Sequence, residues 1–150
     1  MRPIKFRAWD SESETMIYSD KNNDDYWWEI EPILKVGFVS GTTGGNQFEP
    51  PEPVVEYIEN IMQFTGLLDK DGKEIYEGDV VQWDDDSKGL YWRICQVIWN
   101  KSRFELHGYS FKSKTPNDRR SVNFTFGQFI YEKDGILEII GNVYENPELL

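Results

Sequence analysis

The sequence predicts a mainly-β protein centred on a small, highly curved barrel. Three observations point there. Residues 65–81, TGLLDKDGKEIYEGDVV, place two turns close together, each feeding a short apolar strand. Residues 91–99 alternate strictly, with largely apolar side chains on both faces, as in a central strand. Aromatic residues make up 15% of the chain and include six Trp, which excludes a disordered polypeptide.

At 150 residues the default is one domain with room for a real core. Ile4, Phe6 and Ala8 alternate with Lys5, Arg7 and Trp9. The polar turn 10–14 returns the chain through Thr15–Tyr18, giving an N-terminal hairpin. Tyr26–Trp28 and Ile33–Val39 read as short strands, and residues 40–53 (SGTTGGNQFEPPEP) as a surface loop. Val54, Val55, Ile58, Ile61 and Met62 recur at helical spacing behind Pro53, which predicts one short helix over residues 53–60. Ile61–Thr65 leads into the central stretch as a strand.

In that stretch, Asp69-Lys70-Asp71-Gly72 is a tight turn. Aspartate oxygens cap nearby N–H groups, and Gly72 supplies positive φ. Glu77-Gly78-Asp79 is the second turn, before Val80, Val81 and Trp83. Residues 84–89 read as a hairpin loop. Tyr91, Arg93, Cys95, Val97 and Trp99 share one face of the next strand; Trp92, Ile94, Gln96 and Ile98 share the other. A strand over 103–109 follows, then a polar loop from Lys112 to Ser121, a strand through Val122, Phe124 and Phe126, and a last strand, Ile136–Tyr144, bulged at Gly141. This gives residues 1–61 as a hairpin, loop and short helix packed on a barrel formed by residues 62–150.

Three motifs carry a family resemblance: MRPIKFRAWD at the start, TGLLDKDGKEIYEGDVV in the middle and IIGNVYENPELL at the end. Together they resemble the YopX-like proteins of bacterial phages and prophages. The resemblance implies an SH3-type β-barrel, a phage or prophage origin and residence in the bacterial cytoplasm. It implies no enzyme activity and transfers no catalytic residue. The matching positions include Arg7, Trp9, Asp10, Gly66, Asp69, Gly72, Gly78, Asp79, Gly141 and Asn142. Turn and barrel geometry accounts for most of them.

Composition bounds the function classes. A net charge of −11 disfavours a general phosphate-backbone binder and allows a basic protein partner, or simply good solubility. A single cysteine, Cys95, forbids an intrachain disulfide. The start lacks a signal peptide, and no apolar run reaches membrane-spanning length, so a cytosolic protein without a membrane segment is expected.

Each candidate site in the sequence also has a plainer reading. Asp20, Asn22, Asp24 and Glu31 fall at the first, third, fifth and twelfth positions of an EF-hand-like loop. Asp25 stands where that loop needs glycine, and the flanks are strand-like, so a solvated acidic loop is expected. The turn reading likewise explains Asp69 and Asp71, with Glu74 nearby, without a cation. Glu74 with Glu77, or Glu77 with Asp79, makes an acid pair but lacks a pocket to separate the two roles. Alternation places Cys95 in the core and His107 on the opposite side, against a Cys–His nucleophile or a zinc site. Gly41–Gly45 lacks the lysine and hydroxyl of a phosphate loop.

Lys112, Lys114, Arg119 and Arg120 form a basic segment flanked by Tyr109, Phe111, Phe124 and Phe126, a composition compatible with single-stranded nucleic acid, although a solvated loop whose charges balance acidic neighbours is the expected reading. Trp9, Trp27 and Trp28 are candidate binding anchors, with filling of the core between hairpin and barrel as the plainer reading. The expected function is therefore a non-enzymatic accessory protein that binds another protein or itself and needs no cofactor. A nucleic-acid-associated factor using residues 112–120 is the first alternative, and a metal-dependent enzyme the second.

Overall fold

The structure, a computed structural model, describes residues 3–21, 24–29, 34–45, 52–84, 91–112, 119–125 and 136–150. Its regular structure is antiparallel β, with a 3-10 turn at Pro147–Leu149. The chain divides after Met62 into two compact units, Lys5–Met62 and Gln63–Leu150, the second joined by the first few residues.

The first unit begins with a hairpin, β1 (Phe6–Asp10) and β2 (Thr15–Tyr18), in which Ala8 faces Ile17. A three-stranded sheet follows, ordered β3 (Tyr26–Glu29), β4 (Lys35–Thr43), β5 (Glu52–Ile58). Alternation gives this sheet two different faces. Trp28, Val36 and Ile58 form one rung and Tyr26, Phe38 and Glu56 the next. The apolar members of these rungs pack with Ala8, Ile17 and Ile61 into one core.

Two sequence expectations fail in this unit. Of the residues read as a helix, 53–58 belong to strand β5, and Glu59 and Asn60 follow it without regular structure. Val54, Val55, Tyr57 and Ile58 are β-branched or aromatic, and cross-strand pairing with β4 outweighs a local 3.6-residue period. Pro53 is tolerated because β5 lies at the edge of its sheet. The loop read from residue 40 starts later. Strand β4 runs to Thr43 with a bulge between Val39 and Gly41, and leaves the sheet at Gly44 and Gly45, with φ of 66° and 95°.

The second unit contains the hairpin of β6 (Ile61–Leu68), which starts within the first unit's span, and β7 (Glu74–Tyr76). Its main sheet is five-stranded, ordered β11 (Arg120–Thr125), β10 (Arg103–Lys112), β9 (Tyr91–Asn100), β8 (Asp79–Asp84), β12 (Glu138–Asn142). Strand β9 is central, as its two apolar faces require. Strand β12 carries a register shift between Ile139 and Gly141, the expected bulge. Val81, Trp83, Cys95, Val97, Phe104 and Leu106 line the inner face and pack with Ile75 and Leu137 into a second core. Gly108 lies opposite Cys95, where a Cβ would stand 2.1 Å from the Ile94 carbonyl oxygen. Only glycine lets the two strands meet there.

Candidate functional site

The motif residues are turn pins. Asp10 ends β1, and its carboxylate accepts hydrogen bonds from the Glu12 N–H (3.0 Å), the Ser13 hydroxyl (2.6 Å) and the Tyr26 hydroxyl (2.8 Å). Burial alone would raise its pKa. These donors outweigh burial and hold it below the usual carboxylate value. Asp69 repeats the design: its Oδ1 accepts the N–H groups of Asp71 (2.8 Å) and Lys73 (2.9 Å). Its pKa too is lowered against the opposing effect of burial. Asp79 accepts the Tyr76 N–H at 2.8 Å. Asn142 accepts the Tyr144 and Glu145 N–H groups at 2.9 and 3.0 Å, and its amide donates to the Glu145 carboxylate. Each side chain caps a local turn, which is why short polar residues recur in these motifs. Asp10 and Asp69 also reach beyond it, to the Tyr26 hydroxyl and to the Ile139 N–H at 3.4 Å.

Two other groups are engaged on the second unit's main sheet. Glu105 accepts from Asn100 (2.9 Å) and Arg103 (2.7 Å) and pairs with His107 (2.8 Å), which lowers its pKa to about 2. Cys95 is buried, and burial pushes its thiol up to about 12. Register places Cys95 opposite Gly108, and His107 opposite Gln96 on the other face, so the strands separate the thiol from the imidazole.

The acidic loop read for calcium is only partly described. Asp20 forms a 2.7 Å ion pair with Lys5, which lowers its pKa. Asp24 is exposed, and Asn22 and Glu31 lie outside the described residues. Among the described residues, no three His, Cys, Asp or Glu side chains gather as a metal-binding group. In the basic segment, Arg119 stacks over the Tyr109 ring at 3.3 Å and Arg120 opens β11 as an exposed residue. Lys114 and the side chain of Lys112 lie outside the described residues.

An exposed apolar cluster on a single sheet face lies in the first unit. The second face of the β3–β4–β5 sheet carries Trp27 and Tyr57 on either side of Gly37, and Val39 opposite Val55. All four are exposed: Trp27 38%, Val39 53%, Val55 38% and Tyr57 47%. Lys35 lies over the Tyr57 ring at 4.8 Å, and Trp27 lies over Gly37, where a Cβ would be 2.9 Å from the indole. A cleft of about 230 Å³ opens between the end of β1 and the exit of β5, lined by Trp9, Glu12, Phe38, Glu56, Glu59 and Asn60 among others. Its end is tied by the Trp9 N–H donating to the Asn60 carbonyl at 3.1 Å. Of the tryptophans read as candidate anchors, Trp27 is exposed, whereas Trp28 packs in the core. Val55 and Tyr57 were missed because the segment reads as a helix. Their alternation with Glu56 and Ile58 was the signal that would have found them.

Geometry thus defines a class: an antiparallel β protein with pinned turns and an open apolar sheet face. The chain belongs to the YopX protein family, whose model matches residues 5–150. A solved structure, protein EF1440 from Enterococcus faecalis, is similar at 25% identity with a TM-score of 0.52, covering 100% of this chain and 99% of that one. No curated protein sequence matches the chain. Among the described residues, no helix is long and apolar enough to cross a membrane.

Proposed function

We propose that the chain is a non-enzymatic accessory protein of phage or prophage origin. It works in the bacterial cytoplasm by binding another protein, either a second copy of itself or a host component. The observation that carries this reading is the exposed cluster of Trp27, Val39, Val55 and Tyr57 on one sheet face. Four large apolar side chains grouped on a small sheet are what a binding face presents, whereas singly scattered ones are ordinary surface. The occupied turn carboxylates and the separation of Cys95 from His107 favour binding over catalysis. The five-stranded antiparallel sheet with its adjoining β6–β7 hairpin supports an SH3-type barrel for the second unit.

The test pairs light-scattering mass in solution with capture from a host lysate, comparing the natural chain with a Trp27→Ser, Tyr57→Ser variant. Self-association or specific capture that the variant loses is expected. A monomer that captures nothing, or capture unchanged in the variant, overturns the reading.

A second reading rests on the Arg119–Tyr109 stack. A planar cation held on an aromatic ring beside Arg120 offers the mix of charge and π-face that single-stranded nucleic acid uses. It predicts binding that falls steeply with salt and is lost on alanine substitution of Lys112, Arg119 and Arg120. Absence of a mobility shift at low salt removes it.

A further inference from the structure

The free edge of β5 and the cleft beside it belong to the same short segment. Strand β5 pairs with β4 on one side, and among the described residues no strand pairs on its other side. Glu52, Pro53, Val55, Glu56 and Tyr57 are exposed along it. Its outward N–H and C=O groups are a template for one more strand. The chain then passes Glu59 and Asn60, which line the cleft together with Trp9 and Glu12.

Charge decides what occupies this edge. Glu52 and Glu56 lie on β5 and Glu59 follows it, with Glu12 also lining the cleft. Among the described residues, the carboxylates of Glu12, Glu56 and Glu59 enter no ion pair. A second copy laid edge to edge would bring these glutamates against their own kind and meet Pro53, which offers no N–H. A cationic strand meets the opposite situation: carboxylates in reach, aromatic rings at the cleft, and a whole-chain charge of −11 that attracts it. Guanidinium and ammonium groups bind where aromatic rings and carboxylates converge. At about 230 Å³ the cleft is smaller than typical small-molecule sites and suits a single side chain.

We infer that β5 and its cleft receive a basic, extended protein segment, added as a fourth strand, with one Arg or Lys side chain seated in the cleft that Trp9, Phe38, Glu12, Glu56 and Glu59 line. This rests on the protein-binding reading but uses the β5 edge and its cleft, which share Val55 and Tyr57 with the open face and not Trp27.

The test uses the full chain and a short fluorescent peptide of alternating Arg and Val, with Ser-Val and Glu-Val peptides of equal length as controls, followed by anisotropy. Only the Arg-Val peptide is expected to bind, and a Glu56→Gln, Glu59→Gln variant should weaken it about tenfold or more. Trp27→Ser should leave it unchanged. Hydrogen exchange read by mass spectrometry should show new protection over residues 52–58 when the peptide is present. Equal binding of the Ser-Val peptide, unchanged affinity in the glutamine variant, or no added protection on β5 overturns the inference. Lysate capture lost in the Trp27 variant, with no Arg-Val binding, leaves the broader reading standing and removes only this one. Arg-Val binding by a chain that captures nothing from lysate does the reverse.

Discussion

The two units solve the same problem with different completeness. Both lay a twisted antiparallel sheet over apolar side chains. In the second unit the inner face is closed by Ile75 and Leu137, and the buried set runs from Val81 and Trp83 to Leu106. In the first unit a smaller core of Ala8, Ile17, Val36 and Ile58 occupies one face of a three-stranded sheet, and the other face leaves Trp27, Val39, Val55 and Tyr57 in solvent. A sheet buried on one face should read polar on its other face. The first unit departs from that rule with four exposed apolar side chains grouped on one sheet face, whereas the exposed Leu68 and Trp99 of the second unit lie on separate strands of separate sheets. It is the grouping that motivates the proposed binding face.

The comparison breaks first if the second unit's core does not dominate stability. Leu106 is wholly buried on a central pair of strands, so Leu106→Ala should cost about 2–5 kcal/mol. Val36, equally buried but in the smaller core, loses less volume on truncation, and Val36→Ala should cost about 1–3 kcal/mol. Urea unfolding of both variants checks the order. A larger loss from Val36→Ala would mean that the first unit sets the stability of the chain.

The turn pins should give the next largest effect and carry a pH signature. Asp69→Ala leaves the Asp71 and Lys73 N–H groups without their acceptor and should cost about 1–3 kcal/mol near neutral pH. Asp10 and Asp69 both have pKa values lowered in the folded state. Their stabilisation is therefore fully present above the unfolded carboxylate value of about 4 and is lost as pH falls through the lower folded value. The gap between the natural chain and Asp69→Ala should narrow steadily below about pH 4. A gap that stays constant down to acid unfolding would show that the carboxylate's charge contributes nothing to the turn.

Much of this was readable from residue order because the governing interactions are local. Asp69, Gly72 and Asp79 specify their turns within a few residues, and the alternation around Cys95 fixes both the faces of β9 and its central place. The family was legible for the same reason, since its three motifs are largely sets of turn residues. Residues 53–60 were not legible. Their apolar positions fit a helix about as well as a strand, and what decides between them is pairing with Gly37 and Val39, set by the fold and not by neighbours in sequence. The open face followed that error: it exists only because β5 is a strand, so Val55 and Tyr57 could not be nominated without the sheet. Glu105 escaped notice too, since its partners Asn100 and His107 meet it only across and along the hairpin.

The smallest expected change in stability tests the open face most directly. Val39 and Val55 face each other across β4 and β5 and are exposed by about half and somewhat more than a third. Replacing both with Thr keeps β-branching and strand preference while exchanging a methyl for a hydroxyl at each site. If that face is open to water, the double variant should unfold within about 0.5 kcal/mol of the natural chain, because neither hydroxyl loses hydration. Its apolar area is reduced, so self-association or partner capture should weaken while the fold persists. A loss of about 1.5 kcal/mol or more would mean that the hydroxyls are desolvated, hence that something in the folded chain already covers the face. Unchanged stability with unchanged capture would instead leave the face open but idle, and partner binding would then have to arise elsewhere on the chain, with the β5 edge and its acidic cleft as the next place to look.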